Sequence, residues 1–187
     1  MAMRTFLKAI PRNFRAAYFT LCMPASLLGW GGHASATEPV VIHGSDTFTF
    51  EIVSNRPGCP AATSVSTSDS GSGQSTHLGR YTFIAGECIN LSTPEPEVTL
   101  GFFTLTAADG STISGNYSGN AEYTDATKTS VLYAVSGFIT AGSGHFQNLT
   151  TGTFAFLGGA NLSTGTGFDS IAGNIYTAAA SSPDRDR

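Results

Sequence analysis

Beyond residue 36 the chain never repeats its apolar residues at the 3.6-residue spacing of a helix, while several stretches alternate between apolar and polar. At 47–53, Phe48, Phe50 and Ile52 fall on one side and Thr47, Thr49 and Glu51 on the other. A period of two is the mark of a half-buried strand, because successive side chains point to opposite faces. Composition agrees. Threonine supplies 22 of the 151 residues from Thr37 onward, mixed with Val, Ile, Phe, Tyr and Gly, and lysine occurs once. β-branched and aromatic side chains suit a pleated surface. The expected class is all-β.

Alternation and turn residues place strands at 47–53, 75–91, 98–107, 111–123, 131–140, 152–157 and 167–177. The Ser/Gly-rich stretch 64–74 reads as a flexible loop or a poorly ordered edge. Val98, Leu100 and Phe102 alternate with Phe103 and Leu105 nearby, which predicts a strand covered on two sides. Asp109-Gly110 predicts a tight hairpin whose two central residues tolerate positive φ. The return strand puts Ile113, Tyr117 and Tyr123 on one face. Seven or eight strands in hairpin succession, with glycines at the bends, predict a single antiparallel β-barrel of about eight strands. Closure would also remove exposed edges. A two-sheet β-sandwich is the competing architecture. A barrel of this size is either filled by its own side chains or holds one small ligand.

Residues 1–36 read as a secretory signal peptide. Arg4, Lys8, Arg12 and Arg15 form a basic region, an apolar stretch broken by Pro24 follows, and Ala34-Ser35-Ala36 supplies the small residues of a cleavage site. The apolar stretch falls short of the ~20 residues a spanning helix needs, so no membrane span is expected; an uncleaved anchor is the alternative. The domain layout is then a leader at 1–36, a barrel at 37–177 and a disordered tail at 178–187, in a secreted or periplasmic protein. Without the leader, five basic residues face thirteen acidic ones, a net charge of −8. Such a field repels nucleic acid, and no nucleic-acid partner is expected. Cys59 and Cys88 remain, and an oxidising compartment makes them a disulfide by default. The closed loop of about 30 residues would be worth on the order of 3 kcal/mol. Neither cysteine sits in a C-x-x-C or beside a histidine, which leaves a metal site or a reactive thiol without support.

His43, His77 and His145 show no metal-ligand spacing, and neither metal nor cofactor is expected. In 76–81, alternation groups His77 and Tyr81 with Phe83, and Leu78 with Arg80. With the Phe83 face inward, His77 and Tyr81 would line a cavity and polarise a ligand oxygen. The plainer reading has His77 satisfying a carbonyl and Arg80 pairing on the surface. Phe102 and Tyr117 complete the candidate ligand-binding set with His77, Tyr81 and Phe83. Glu87, Glu122 and Asp169 read as solvated strand positions, since their spacing singles out no pair for acid–base work. No G-x-S-x-G elbow occurs, and Gly71-Ser72-Gly73 lacks the lysine of a phosphate loop. No catalytic residue is assigned.

The run Gly142-Ser143-Gly144-His145-Phe146-Gln147-Asn148-Leu149-Thr150-Thr151-Gly152 resembles the G-[ST]-G-x-F-x-x-A-x-G turn of the allene oxide cyclase and dirigent superfamily. From Ser75-Thr76-His77-Leu78-Gly79-Arg80 through Ala108-Asp109-Gly110 to Gly152, the chain is similar to bacterial exported proteins with an allene-oxide-cyclase-like barrel. The resemblance spans roughly 76–176 and implies an eight-stranded antiparallel barrel with a central cavity. It also implies cofactor-free chemistry in that cavity, either isomerisation of a fatty-acid epoxide or steering of radical coupling. No functional position of the family carries over beyond the turn. In the turn itself, Gly142 and Gly144 permit left-handed geometry, and Phe146 can plug one end of the barrel. The expected function is an exported barrel that binds a small apolar ligand without catalysis. The alternatives are a cofactor-free cyclase or isomerase, and a secreted interaction module. Neither the ligand nor the oligomeric state is specified.

Overall fold

The computed structural model describes residues 38–53 and 56–178. The expected leader lies outside the described residues, as does the tail after Ala178. Eight strands follow one another: β1 Val40–Val53, β2 Val65–Ser75, β3 Gly79–Asn90, β4 Glu97–Ala107, β5 Thr112–Tyr123, β6 Ser130–Gly142, β7 Leu149–Asn161 and β8 Thr166–Thr177. Each pairs antiparallel with the next, and β8 returns to β1 to close the barrel. The sandwich is excluded. A single 3-10 turn, Gly144–Phe146, precedes β7.

The strands are longer than alternation indicates. β1 begins at Val40, seven residues before its clear pattern starts at Thr47, because β8 and β2 ladder its first half. The stretch expected to be a loop is β2, hydrogen-bonded to β1 on one side and β3 on the other. It lacks an apolar face because its inward positions after Val65 are Thr67, Asp69, Gly71 and Gly73. Backbone pairing makes this strand. The single strand expected over 75–91 is instead a turn at 76–78 followed by β3.

The Asp109-Gly110 hairpin is real but wider than expected. Ala107 and Ser111 close it, and Gly110 N–H donates to Ala107 C=O at 2.9 Å. Only Gly110 takes positive φ, at 85°, which fits a three-residue loop with a left-handed last residue. In the 142–152 run, Gly144 is left-handed at φ 60° while Gly142 is not; an added Cβ there would lie 2.3 Å from Phe146 O.

The turns at 76–78, 108–111 and 143–148 share one end of the barrel. Leu78 and Phe146 are buried there above Ile42, Ile113, Ile139 and Ile175, so this end is plugged with side chains. Midway along the axis Phe103 packs on Phe154 (5.1 Å between ring centroids) and Phe156 (5.3 Å), within the range of favourable aromatic pairing. The opposite end is rimmed by Ile52 (70% exposed), Leu91 and Leu162.

A bulge between Val98 and Gly101 resets the alternation of β4. Val98 and Phe103 therefore both face the interior, and Leu100 and Phe102 face out. Outside β3, the segment after Arg56 folds back and Cys59 bonds Cys88, with 5.5 Å between their Cα atoms. The Arg56 guanidinium lies 4.4 Å from the centroid of the Phe102 ring. It occupies the space over Gly86, the cross-strand partner of Phe102, where a Cβ would fall 1.7 Å from Nη1.

Candidate functional site

The rimmed end leads into a cavity of about 220 Å³ between β1 and the other seven strands. Its walls are mostly apolar, with Phe48, Phe83, Phe103, Val135 and Phe156 among them, and three carboxyl side chains join the lining: Asp69, Glu87 and Asp169. A fourth, Asp46, is buried beside them.

These acids are built into the wall by a device used three times. A tyrosine on one strand reaches across a glycine on the next to a carboxyl on the third. Tyr81 O–H donates to Asp46 Oδ2 at 2.7 Å, across Gly73. Tyr133 O–H donates to Asp169 across Gly158. Tyr117 O–H donates to Glu87 across Gly101. A Cβ would sit 2.6 Å from the Tyr81 hydroxyl at Gly73, 2.7 Å from the Tyr133 hydroxyl at Gly158 and 2.2 Å from the Tyr117 ring at Gly101. Glycine is what lets each ring lie flat over the intervening strand. The first two units meet: Asp46 and Asp169 are direct cross-strand partners, so the row reads Tyr81, Gly73, Asp46, Asp169, Gly158, Tyr133 around six strands.

Like charges placed opposite each other out of water favour protonation. Burial pushes Asp46 up to about 6 against the opposing effect of the Tyr81 hydrogen bond. Burial pushes Asp169 up to about 7, with the charges of Asp46 and Glu87 adding to it. Asp69 has no tyrosine. Burial, then the adjacent Glu87 charge and a hydrogen bond with Glu87, push it well above the usual carboxylate range. The two adjacent carboxyls thus resist losing their last proton, which belongs to the Asp69–Glu87 pair. The Tyr81, Tyr117 and Tyr133 hydroxyls are held well above their ordinary value, by burial first and by these carboxylates next, and stay neutral donors. Thr67 O–H also donates to Glu87.

The candidate residues separate. Tyr81, Phe83 and Tyr117 are buried in the interior, and Phe83 and Tyr117 line the cavity. Tyr81 sits below it, on Asp46. His77 does not join them: it stands exposed in the β2–β3 turn with φ 64°, because the strand ends before it and its alternation no longer applies. Phe102 lies on the outer wall, 36% exposed beneath Arg56, turned there by the β4 bulge. Glu87 and Asp169 are interior, contrary to the expectation of solvated positions. Their strand phase is the signal that identifies them. Glu87 follows Tyr81, Phe83 and Ala85 at steps of two, Asp169 precedes Ile171, and Asp46 precedes Phe48 and Phe50.

At the plugged end, His145 Nδ1 meets Asp109 Oδ2 at 2.6 Å and Ser111 Oγ at 3.4 Å. A hydrolase triad needs the serine on the other ring nitrogen. This cluster instead ties the 3-10 turn to the β4–β5 hairpin, with His145 N–H donating to Ser111 Oγ at 3.0 Å. Among the described residues no group of three or more His, Cys, Asp or Glu side chains is arranged to hold a metal ion, and no helix is long and apolar enough to cross a membrane. The chain matches no family model, no curated protein and no solved structure.

Proposed function

We propose that this protein is an exported carrier that holds a small, largely apolar molecule in its lumen without transforming it. The observation that carries the reading is the asymmetry of the barrel: one end is packed solid with Leu78, Phe146 and isoleucines, while the other leads into a 220 Å³ space walled by aromatics. A pre-formed apolar space with a few convergent polar groups is the usual form of a small-molecule site. Export is supported by the leader pattern and by the Cys59–Cys88 pairing, which belongs in an oxidising compartment.

The test is saturable displacement of a fluorescent apolar probe. Ala121 lines the lumen near its mouth. An Ala121→Trp variant should remain folded and lose probe binding by about tenfold or more. Equal binding by both proteins would place the probe outside the barrel and defeat the reading. A cofactor-free cyclase or isomerase is the second reading. It is favoured by one feature, the adjacent Asp69 and Glu87 carboxyls on the lumen wall, a pair whose mutual repulsion favours keeping a proton available for general-acid work. Turnover of an epoxide substrate that is abolished in Asp69→Asn would select it over simple carriage.

A further inference from the structure

We propose that the ligand carries a primary ammonium group, seated between Asp69 and Glu87, with its hydrocarbon part among Phe48, Phe83, Phe103 and Phe156. The inference rests on the carrier reading and names the chemistry of what is carried.

The argument is a count of donors and acceptors. The hydroxyls of Tyr81, Tyr117, Tyr133 and Thr67 are each committed to a carboxyl, which leaves Tyr123 as the one lining hydroxyl not donated to a carboxyl. None of the side chains lining the cavity is cationic. Acceptors remain in surplus, and Asp69 Oδ1 is one of them: it is buried without a hydrogen-bond partner, on a cavity-lining residue only 7% exposed. A buried carboxyl oxygen left unpaired costs on the order of 1–3 kcal/mol, which a donor from the ligand would recover. An ammonium brings three donors and no acceptor, an alcohol one of each, and a carboxylate none. The positive charge also balances buried carboxylates that otherwise repel one another, and aromatic faces attract it. A carboxylate- or phosphate-headed lipid would meet the residual negative charge of the Asp69–Glu87 pair with no lining cation to offset it. The small volume restricts the hydrocarbon to a short chain.

A proton is displaced in this scheme. The groups facing Asp69 are Glu87, Thr67 and Tyr117, with Asp169 two strands away on the same lining and Arg56 outside the wall. The proton shared by the Asp69–Glu87 pair leaves to solvent when the ammonium takes its place, so binding releases acid.

The experiment titrates octylamine, octanol and octanoate separately into the full chain by calorimetry, in two buffers of different ionisation enthalpy. Octylamine should bind about tenfold or more tighter than octanol, octanoate weakest, with proton release for the amine only. Glu87→Gln should bring octylamine to within about threefold of octanol while octanol binding persists. Octanol or octanoate binding as tightly as octylamine in the unaltered protein would overturn the ammonium assignment and leave the carrier reading standing. Failure of all three to bind would overturn both. Because the ranking is read on the unaltered protein, a variant that fails to fold does not rescue the proposal.

Discussion

At Gly101 one added methyl would lie 2.2 Å from the Tyr117 ring, which Glu87 and the surrounding aromatics hold in place. Gly101→Ala is expected to cost about 1–3 kcal/mol in urea unfolding, as overpacking does. In a Tyr117→Ala background the same change should cost much less, since the obstructing ring is gone; additive losses would show that the ring is not the obstacle. The buried acids set a second expectation. Asp46 and Asp169 are raised from 3.8 to about 6 and 7, and Asp69 beside Glu87 is raised as well. A raised carboxyl contributes stability that is complete below its unfolded value and is lost as pH rises through its folded one. The urea midpoint should therefore fall as pH rises from about 4 through about 7. Above pH 7 the Asp69–Glu87 pair still contributes, so Asp69→Asn should flatten the alkaline side of the curve and leave the acid side sloping. A midpoint that rises with pH over this range would contradict the protonated lumen. Exposed Asp109 and Asp125 act oppositely, being lowered by hydrogen bonds from Ser111 and Thr127, and matter only in stronger acid. Tyr117 and Phe83 were legible from phase alone. The role of Glu87 was not, because its partner Tyr117 is 30 residues away and the pairing exists only once β3, β4 and β5 lie side by side.

β2 is the element that sequence pattern least reveals. Its Ser, Gly and Asp residues have low strand propensity, yet propensity for strands reflects fit to neighbours more than backbone preference. Here β1 and β3 supply both ladders, and its small inward residues make room for Phe83 and Tyr81. The strap formed by Cys59–Cys88 and Arg56 holds the long β1–β2 connection against the outside of β3. Replacing both cysteines by serine should lower stability by about 3 kcal/mol, the entropy of the opened loop, and reduction of the unaltered protein should do the same. An unchanged urea midpoint after reduction would mean that β2 needs no strap. The strand pattern around Val98 misled for a different reason: one extra residue in a bulge shifts every later side chain to the other face, and nothing in the composition of β4 marks where it falls.

For the molecule as a whole, β1 and β8 close the ring, Val40 lying opposite Ile175. Strands at the two extremes of the barrel must meet before any edge is satisfied, so folding waits on a long-range contact. A circular permutant that links Thr177 to Val40 through a short loop, with new ends in the 124–129 turn, should fold to the same barrel and refold faster. Loss of folding on permutation would mean that β1 and β8 pair for a reason other than proximity. Alternation, hairpin residues and cysteine count were enough to indicate an all-β barrel of eight strands with one disulfide, because each is a local or pairwise signal carried by a few neighbouring residues. The acidic, hydroxyl-lined floor of the lumen arose otherwise. It comes from residues on β1, β2, β3, β5, β6 and β8 whose side chains meet only across a closed sheet, and closure is a property of register between strands, which no single strand contains.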